Sequence, residues 1–524
     1  MRNISLSLFG FFLFSYLLTS AGDFDVQDSW VRYEVARHVV TGVPLDLNQF
    51  QRTWDQTPEA RSLKIQFPTH RWGQVYAMMP FVYLGGLLKS LDPQAEYVLP
   101  TFLNAFWGAL VILVFFYFLN MVWPHPKENL IMTFLFGFST MIFVYTHSMH
   151  DAIQETFFAL SAVYFSWKLI LAQRIHYFLG VIFCVIGGLL TRYTFILLFP
   201  ALMYLWMIHV RSLLKQNPRK VSLVGWEGLI LLGLGIFMVW VGVGLGASLQ
   251  TISSFSRDTF VNLNFHSFLN ALFGLLFSPA KSFFIFNPVF IVGVFGIFGL
   301  FKYHRHLAIV VGLVTICYVF FYAFFRCFTG DPAWGPRYLL VLIPFWMFPV
   351  AVLFQHRKKI ITRSLYGLSI IGFCFQWVGI LICVTHYIHV TNLVDELPRY
   401  YYERPDVVYY LKQWKYNAIF RMGRELPDMW NRMRTYHYRP ISEESLKKLH
   451  QRRIDFIEPD ALKEALAKGF TDNVFDLWWI KAVYFPPAHF RWRIILMMVF
   501  LLGWFGSGYL LMVGFISDSQ MKRC

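Results

Sequence analysis

Apolar residues in this chain run in unbroken blocks near residues 4–21, 97–122, 130–147, 153–172, 177–192, 193–210, 222–246, 285–301, 307–325, 338–355, 364–388 and 491–515. Each block approaches the ~20 residues a helix needs to cross a bilayer, so the pattern predicts an all-α polytopic membrane protein with about twelve transmembrane helices. A membrane barrel would alternate with period two, which these blocks do not. Long polar stretches interrupt the pattern at 22–96 and 389–489, and Arg192 falls in the tight joint between 177–192 and 193–210.

The stretch VYAMMPFVYLGGLL at 75–88 is apolar but, at about 14 residues, short for a span. Basic residues decide its placement. With the N-terminus cytoplasmic and 75–88 left out, the cytoplasmic gaps carry Lys127, then Lys168 and Arg174, then Arg211, Lys215, Arg219 and Lys220. Lys302 and Arg305 follow, then Arg357, Lys358, Lys359 and Arg363, and finally Lys522 and Arg523 in the tail. Every short cytoplasmic gap is then basic, as the positive-inside rule asks, whereas a span at 75–88 would invert the later loops. The segment is therefore expected to lie in the membrane interface, inside one exoplasmic loop at 22–96. The organisation that follows is a transmembrane module over 1–388, an exoplasmic region over 389–489 and a final helix with cytoplasmic tail over 490–524. The first block resembles a signal peptide, with TSA before Gly22, but its long apolar core and weakly charged start read as a retained anchor. Within 389–489, EPDALKEALAKGF has the start, pairing and stop signals of a short helix, and the aromatic ends RYYYERPDVVYYLKQW and DLWWIKAVYFPP read as an interfacial belt.

Composition narrows the function. At 57% apolar and 19% aromatic, 524 residues are too greasy for a soluble fold. The formal charge of +16 is largely accounted for by the cytoplasmic gaps. It does not point to nucleic acid, whose recognition calls for a basic face on a soluble module. The six cysteines fall mostly inside spans without CxxC spacing, so no disulfide framework or zinc site follows.

Candidate chemistry gathers at the exoplasmic ends. Asp23, Asp25 and Asp28 follow the first block, and THSMHDAIQE brings His147, His150, Asp151 and Glu155. Arg192, Arg257, Asp258, Lys281, Arg326, Asp331 and Arg337 share that side. Separated carboxylates and several cations suit transfer from a phosphate-activated donor: a carboxylate takes the acceptor's proton while Arg or Lys neutralises the departing phosphate. A lipid phosphate would explain cations at a membrane boundary. Plainer roles compete. Asp28 could cap the helix SWVRYEVARHVV, Asp151 could be a first-turn acid favoured by the helix dipole, and Asp23 and Asp25 read as solvated loop acids. Arg337 could be a snorkelling anchor, and Arg192 could pair structurally with an acid. His147 and Asp151, with His150 nearby, could hold a divalent metal, although no HExxH-like pattern exists. Lys281, between Pro279 and Pro288, would sit in a half-inserted loop tolerated only against protein or water.

Five segments, DSWVRYEVARHVVTG, FPTHRWGQVYAMMP, LLTRYTFILLFP, GLLFSPAKSFFIFNP and WGPRYLLVLIPF, occur in order between residues 20 and 350. Together they resemble the GT-C type of membrane-embedded glycosyltransferase, close to the protein O-mannosyltransferase and lipid A aminoarabinose transferase group. The resemblance implies a GT-C-like bundle with Asp28 as first-loop catalytic carboxylate, Asp151 as the second-loop acid, and Lys281 and Arg337 near the lipid phosphate. Arg192, Glu155 and His147 complete the candidate substrate and phosphate contacts. HDAIQET stands where the family often has a Glu-Pro-Leu step, which leaves Asp151 and Glu155 as rival second acids, and Ala280 and Ser282 replace flanking glycines. The expected activity is inverting transfer of a hexosyl or pentosyl group from a polyprenyl-phosphate donor to an exoplasmic lipid, glycan or protein, with no cofactor required. The expected location is a bacterial inner membrane with the site on its periplasmic face. The rivals are a transporter or flippase of a lipid-linked sugar, suggested by span number and intramembrane charge, and a non-catalytic assembly subunit, suggested by the aromatic exoplasmic region.

Overall fold

The computed structural model describes residues 2–24, 27–43, 72–92, 94–216, 233, 265–325, 328, 333–355, 359–382, 414, 417–435, 475–484 and 490–521. Asp25, Arg257, Asp258, Arg326, Asp331, the apolar block 222–246 apart from residue 233, and the helix expected at 458–470 lie outside them, and Asp28 is described by its backbone alone.

Among the described residues the chain is helical without a strand. Among the described residues, seven helices are long and apolar enough to cross a membrane: Ala95–Val122, Ala152–Ala172, Tyr193–Lys215, Arg305–Ala323, Arg337–Gln355, Lys359–Leu381 and Arg491–Phe515. Four shorter apolar helices among these residues, Ile4–Leu18, Ile175–Thr191, Phe265–Phe277 and Val289–Tyr303, join them. Over its described residues the protein is a helical polytopic membrane protein. We number its helices α1 (Arg2–Leu18), α2 (Gln27–Thr41), α3 (Trp72–Leu87), α4 (Leu103–Val122), α5 (Pro126–Ser139), α6 (Ile142–His147), α7 (Ala152–Ala172), α8 (Ile175–Thr191) and α9 (Phe199–Gln216). Then come α10 (Phe265–Phe277), α11 (Val289–Tyr303), α12 (Arg305–Ala323), α13 (Ile343–Gln355), α14 (Lys359–Leu381), α15 (Ala418–Thr435), α16 (Trp478–Tyr484) and α17 (Phe490–Met521).

Helices from the two ends of the chain lie side by side. The Phe11 ring of α1 meets the Trp504 ring of α17 at 5.6 Å, and the Trp504 indole donates to Ser15 Oγ at 2.9 Å. The innermost span is the unit of the 3-10 turn Arg337–Leu342 and α13, 89% of whose apolar window is buried. It is apolar all round, which suits a helix that meets protein on every side.

Three of the expected elements differ in detail. The block at 130–147 is not one helix: it breaks after Ser139, where Asn287 Oδ1 accepts from the Met141 N–H at 2.8 Å and so replaces a helical partner. The Pro279–Pro288 stretch is a pinned turn. Ser278 Oγ accepts from the N–H groups of Ala280 and Lys281 at 3.1 and 3.2 Å, and Asn417 donates to the Pro279 carbonyl at 2.6 Å. The 75–88 segment is part of α3, packed on α2 and α8. A Cβ on its Gly73 would stand 2.8 Å from the Thr191 amide nitrogen, so only glycine lets α3 approach α8 this closely.

Candidate functional site

The first turns of α2 and α7 and the joint after α8 meet in a buried charged cluster. Gln27 opens α2, so Asp28 lies within its first turn rather than at its cap, one turn before Arg32. The Arg32 guanidinium bonds the Gln74 side-chain oxygen of α3 and lies 3.8 Å from Asp151 Oδ2. Gln74 in turn donates to the Met149 carbonyl at 3.3 Å, and Ser29 donates to that same oxygen. The face of α2 bearing Ser29 and Arg32 is thereby fixed against the turn before α7.

Asp151 occupies the N-cap position of α7, yet its side chain makes no capping bond. Its Oδ2 instead lies 3.8 Å from guanidinium nitrogens of both Arg32 and Arg192. Arg192 bridges the two acids, because its Nη1 also donates to Glu155 Oε2 at 3.2 Å. Its extended backbone, φ −153° and ψ 135°, separates α8 from the 3-10 turn Tyr193–Leu198 and aims its side chain inward. Glu155 is the more fully bonded acid: Oε1 accepts from Thr194 at 3.0 Å and from the Tyr318 hydroxyl at 3.1 Å.

Tyr338 joins this cluster to Arg337. Its ring lies flat on Tyr322, with centroids 4.5 Å apart and planes 4° from parallel. Two guanidinium carbons stand over it, Arg192 at 5.4 Å and Arg337 at 5.1 Å, an arrangement stabilised by the ring quadrupole. Arg337 Nη1 is 3.4 Å from His150 Nδ1. The preceding Gly335 has φ +59°, and a Cβ there would meet Phe286 ring atoms at 2.8 Å. The same Phe286 ends the short helix after Lys281. Its carbonyl accepts from Gln376 at 2.7 Å, and Gln376 accepts from the Trp334 indole at 3.0 Å. The turns that bear Lys281 and Arg337 are thus tied to each other through Gln376, and Lys281 itself is half-buried.

Of the residues singled out from sequence, Asp151, Glu155 and Arg192 touch directly, and Arg337 joins them through Tyr338. His147 faces elsewhere. Its Nδ1 contacts the Thr19 carbonyl and its Nε2 lies 3.0 Å from Asp476 Oδ2, so it shares no ligand position with Asp151. Asp23 is not a solvated loop acid: it is buried, 2.8 Å from Lys481 Nζ. The pairing with a lysine far along the chain offsets part of the desolvation cost of burying this carboxylate. Among the described residues no three His, Cys, Asp or Glu side chains gather as a metal site would.

Sequence reasoning passed over Arg32, Tyr318, Tyr322, Tyr338, Asp476 and Lys481. Arg32 had a signal, its helical spacing of four from Asp28, and Tyr318 and Tyr322 share the same spacing on α12. Asp476 and Lys481 had none, because both sat in a stretch rich in interfacial aromatics. No protein-family model matches the chain, and neither a curated protein nor a solved structure matches it.

Proposed function

We propose that this protein is an integral membrane glycosyltransferase that moves a sugar from a polyprenyl-phosphate donor to an exoplasmic acceptor. The observation that carries the reading is the buried cluster in which Asp151 and Glu155 meet Arg32 and Arg192, one helical turn from Asp28 and one ring from Arg337. Its charge fits the chemistry. Arg32, Arg192, Arg337 and Lys281 outnumber Asp28, Asp151 and Glu155 by one, and the phosphodiester of such a donor carries a single negative charge.

Asp28 takes the proton of the acceptor hydroxyl as that oxygen attacks the anomeric carbon. The bond from this carbon to the phosphate oxygen breaks, its electron pair stays on the phosphate, and a new carbon–oxygen bond forms on the opposite face. The leaving phosphate gains a negative charge as Asp28 loses one, so the net charge of the reacting groups is conserved through the step. Asp151 orients the reactants and Arg192, while Arg337 and Lys281 hold phosphate. A single displacement gives inversion.

Purified wild type and Asp28→Asn, supplied with a defined polyprenyl-phosphate sugar and an extract of envelope lipids and glycans, test the assignment. Loss of the general base lowers kcat by about 10²- to 10⁴-fold. Full transfer by Asp28→Asn would remove Asp28 from the mechanism, and flux of the lipid-linked sugar with no covalent product would replace the enzyme with a transporter.

A further inference from the structure

Four more charged side chains form a second buried network beside the cluster. Asp476 Oδ1 pairs with Lys481 Nζ, Lys481 also donates to Asp23 Oδ2 at 2.8 Å, and Asp476 Oδ2 lies 3.0 Å from His147 Nε2. The Thr19 carbonyl beside His147 Nδ1 can only accept, and so can an ionised Asp476 beside Nε2. Burial alone would raise the Asp476 pKa, but Lys481 and His147 hold it well below the usual carboxylate range. Two basic side chains, His147 and Lys481, thus face two acidic ones, Asp23 and Asp476.

Backbone bonds run through the same place. The Asp476 N–H donates to the Leu381 carbonyl at 2.9 Å, the Trp478 N–H to Ser20 at 3.0 Å, and the Ala21 N–H to His147 at 3.3 Å. The indoles of Trp478 and Trp479 donate to the Leu17 and Leu18 carbonyls, both at 2.8 Å, which satisfies acceptors that the end of α1 leaves open. Asp23 lies five residues before Asp28, and His147 lies four before Asp151.

We propose that Asp476 and Lys481 are positioning residues: with His147 and Asp23 they form a polar clasp that holds the turn leading to Asp28 against the turn leading to Asp151. The effect on turnover rests on the glycosyltransferase reading; the mechanical coupling of the two turns does not. Neither Asp476 nor Lys481 touches the reacting atoms. The clasp keeps two reacting segments in register, where a small misplacement costs rate more than binding.

Hydrogen exchange of the full-length protein, read beside transfer from a defined polyprenyl-phosphate sugar, tests this in Asp476→Asn, Lys481→Met and the conservative Asp476→Glu. In the first two, exchange at Ala21, at 27–30 and at 148–152 accelerates about tenfold or more, because the linked turns open together. Their kcat falls about tenfold with donor KM within about twofold of wild type, and Asp476→Glu recovers most of it. Should Asp476→Asn not fold, Lys481→Met carries the comparison. Unchanged exchange at both turns overturns the clasp, as does loss confined to one turn. Coupled exchange in a wild type that transfers no sugar keeps the clasp and overturns the glycosyltransferase reading.

Discussion

At the scale of single residues, the molecule is organised by what Arg192 must have around it. A guanidinium buried this deeply is stable only with its charge matched, and Glu155 supplies the shorter contact, 3.2 Å against 3.8 Å to Asp151. Glu155→Gln therefore costs about 3–5 kcal/mol, read as a lower unfolding temperature in detergent, and Asp151→Asn costs less. Under the proposed mechanism Glu155 is then the structural partner of Arg192 and Asp151 the acid that meets substrate, a choice the sequence left open because HDAIQET stands where the resembled family often has a Glu-Pro-Leu step. Asp476 adds a pH dependence. Its pKa is lower in the folded protein than in the unfolded chain, so its stabilisation is complete above about pH 4 and is lost progressively on further acidification. The unfolding temperature of wild type should fall below that pH, and that of Asp476→Asn should fall less. What the sequence revealed at this scale was which residues carry charge at span ends. Partners such as Arg32 for Asp151, or Lys481 for Asp23, depend on how distant segments fold together, and no local spacing encodes them.

At the scale of elements, most described apolar helices coincide with hydrophobic blocks, but α10 (Phe265–Phe277) falls in none of them and the helix breaks were not legible. Hydrophobic blocks located the spans because burying apolar length is what the bilayer rewards, and the tight joint at Arg192 was visible as two blocks with no polar gap. The breaks after Ser139 and before Ser282 come from side chains elsewhere, Asn287 and Asn417, that take over backbone partners. Apolar content alone cannot show them. α3 could be read as a helix too short to span, and its packing explains why it holds its place. Gly73→Ala would put a methyl 2.7 Å from Thr191 Oγ1 and 2.8 Å from the Thr191 nitrogen. The expected result is a destabilisation of about 1–3 kcal/mol by overpacking, accompanied by reduced transfer, since α3 also bears Gln74, the partner of Arg32. Wild-type stability and rate in that variant would show that α3 does not depend on close approach to α8.

At the scale of the whole molecule, the chain closes on itself: α17 runs along α1, and residues 475–484 tie the end of α1 to the turn before α7. That closure was outside the reach of sequence reading, since its contacts join residues 461 positions apart. Orientation rests on the basic gaps and makes its own prediction. A cysteine placed at Lys89 reacts with an impermeant thiol reagent on intact spheroplasts, and one at Arg174 reacts only after permeabilisation. The reverse pattern would move the charged cluster to the cytoplasmic face. The central claim is chemical, and its most direct measurement is a mass balance on purified wild type given one defined polyprenyl-phosphate sugar and envelope extract. The account predicts free polyprenyl phosphate in equal amount to newly glycosylated acceptor, with the anomeric configuration inverted. Intact donor after prolonged incubation across the hexosyl and pentosyl donors would contradict it.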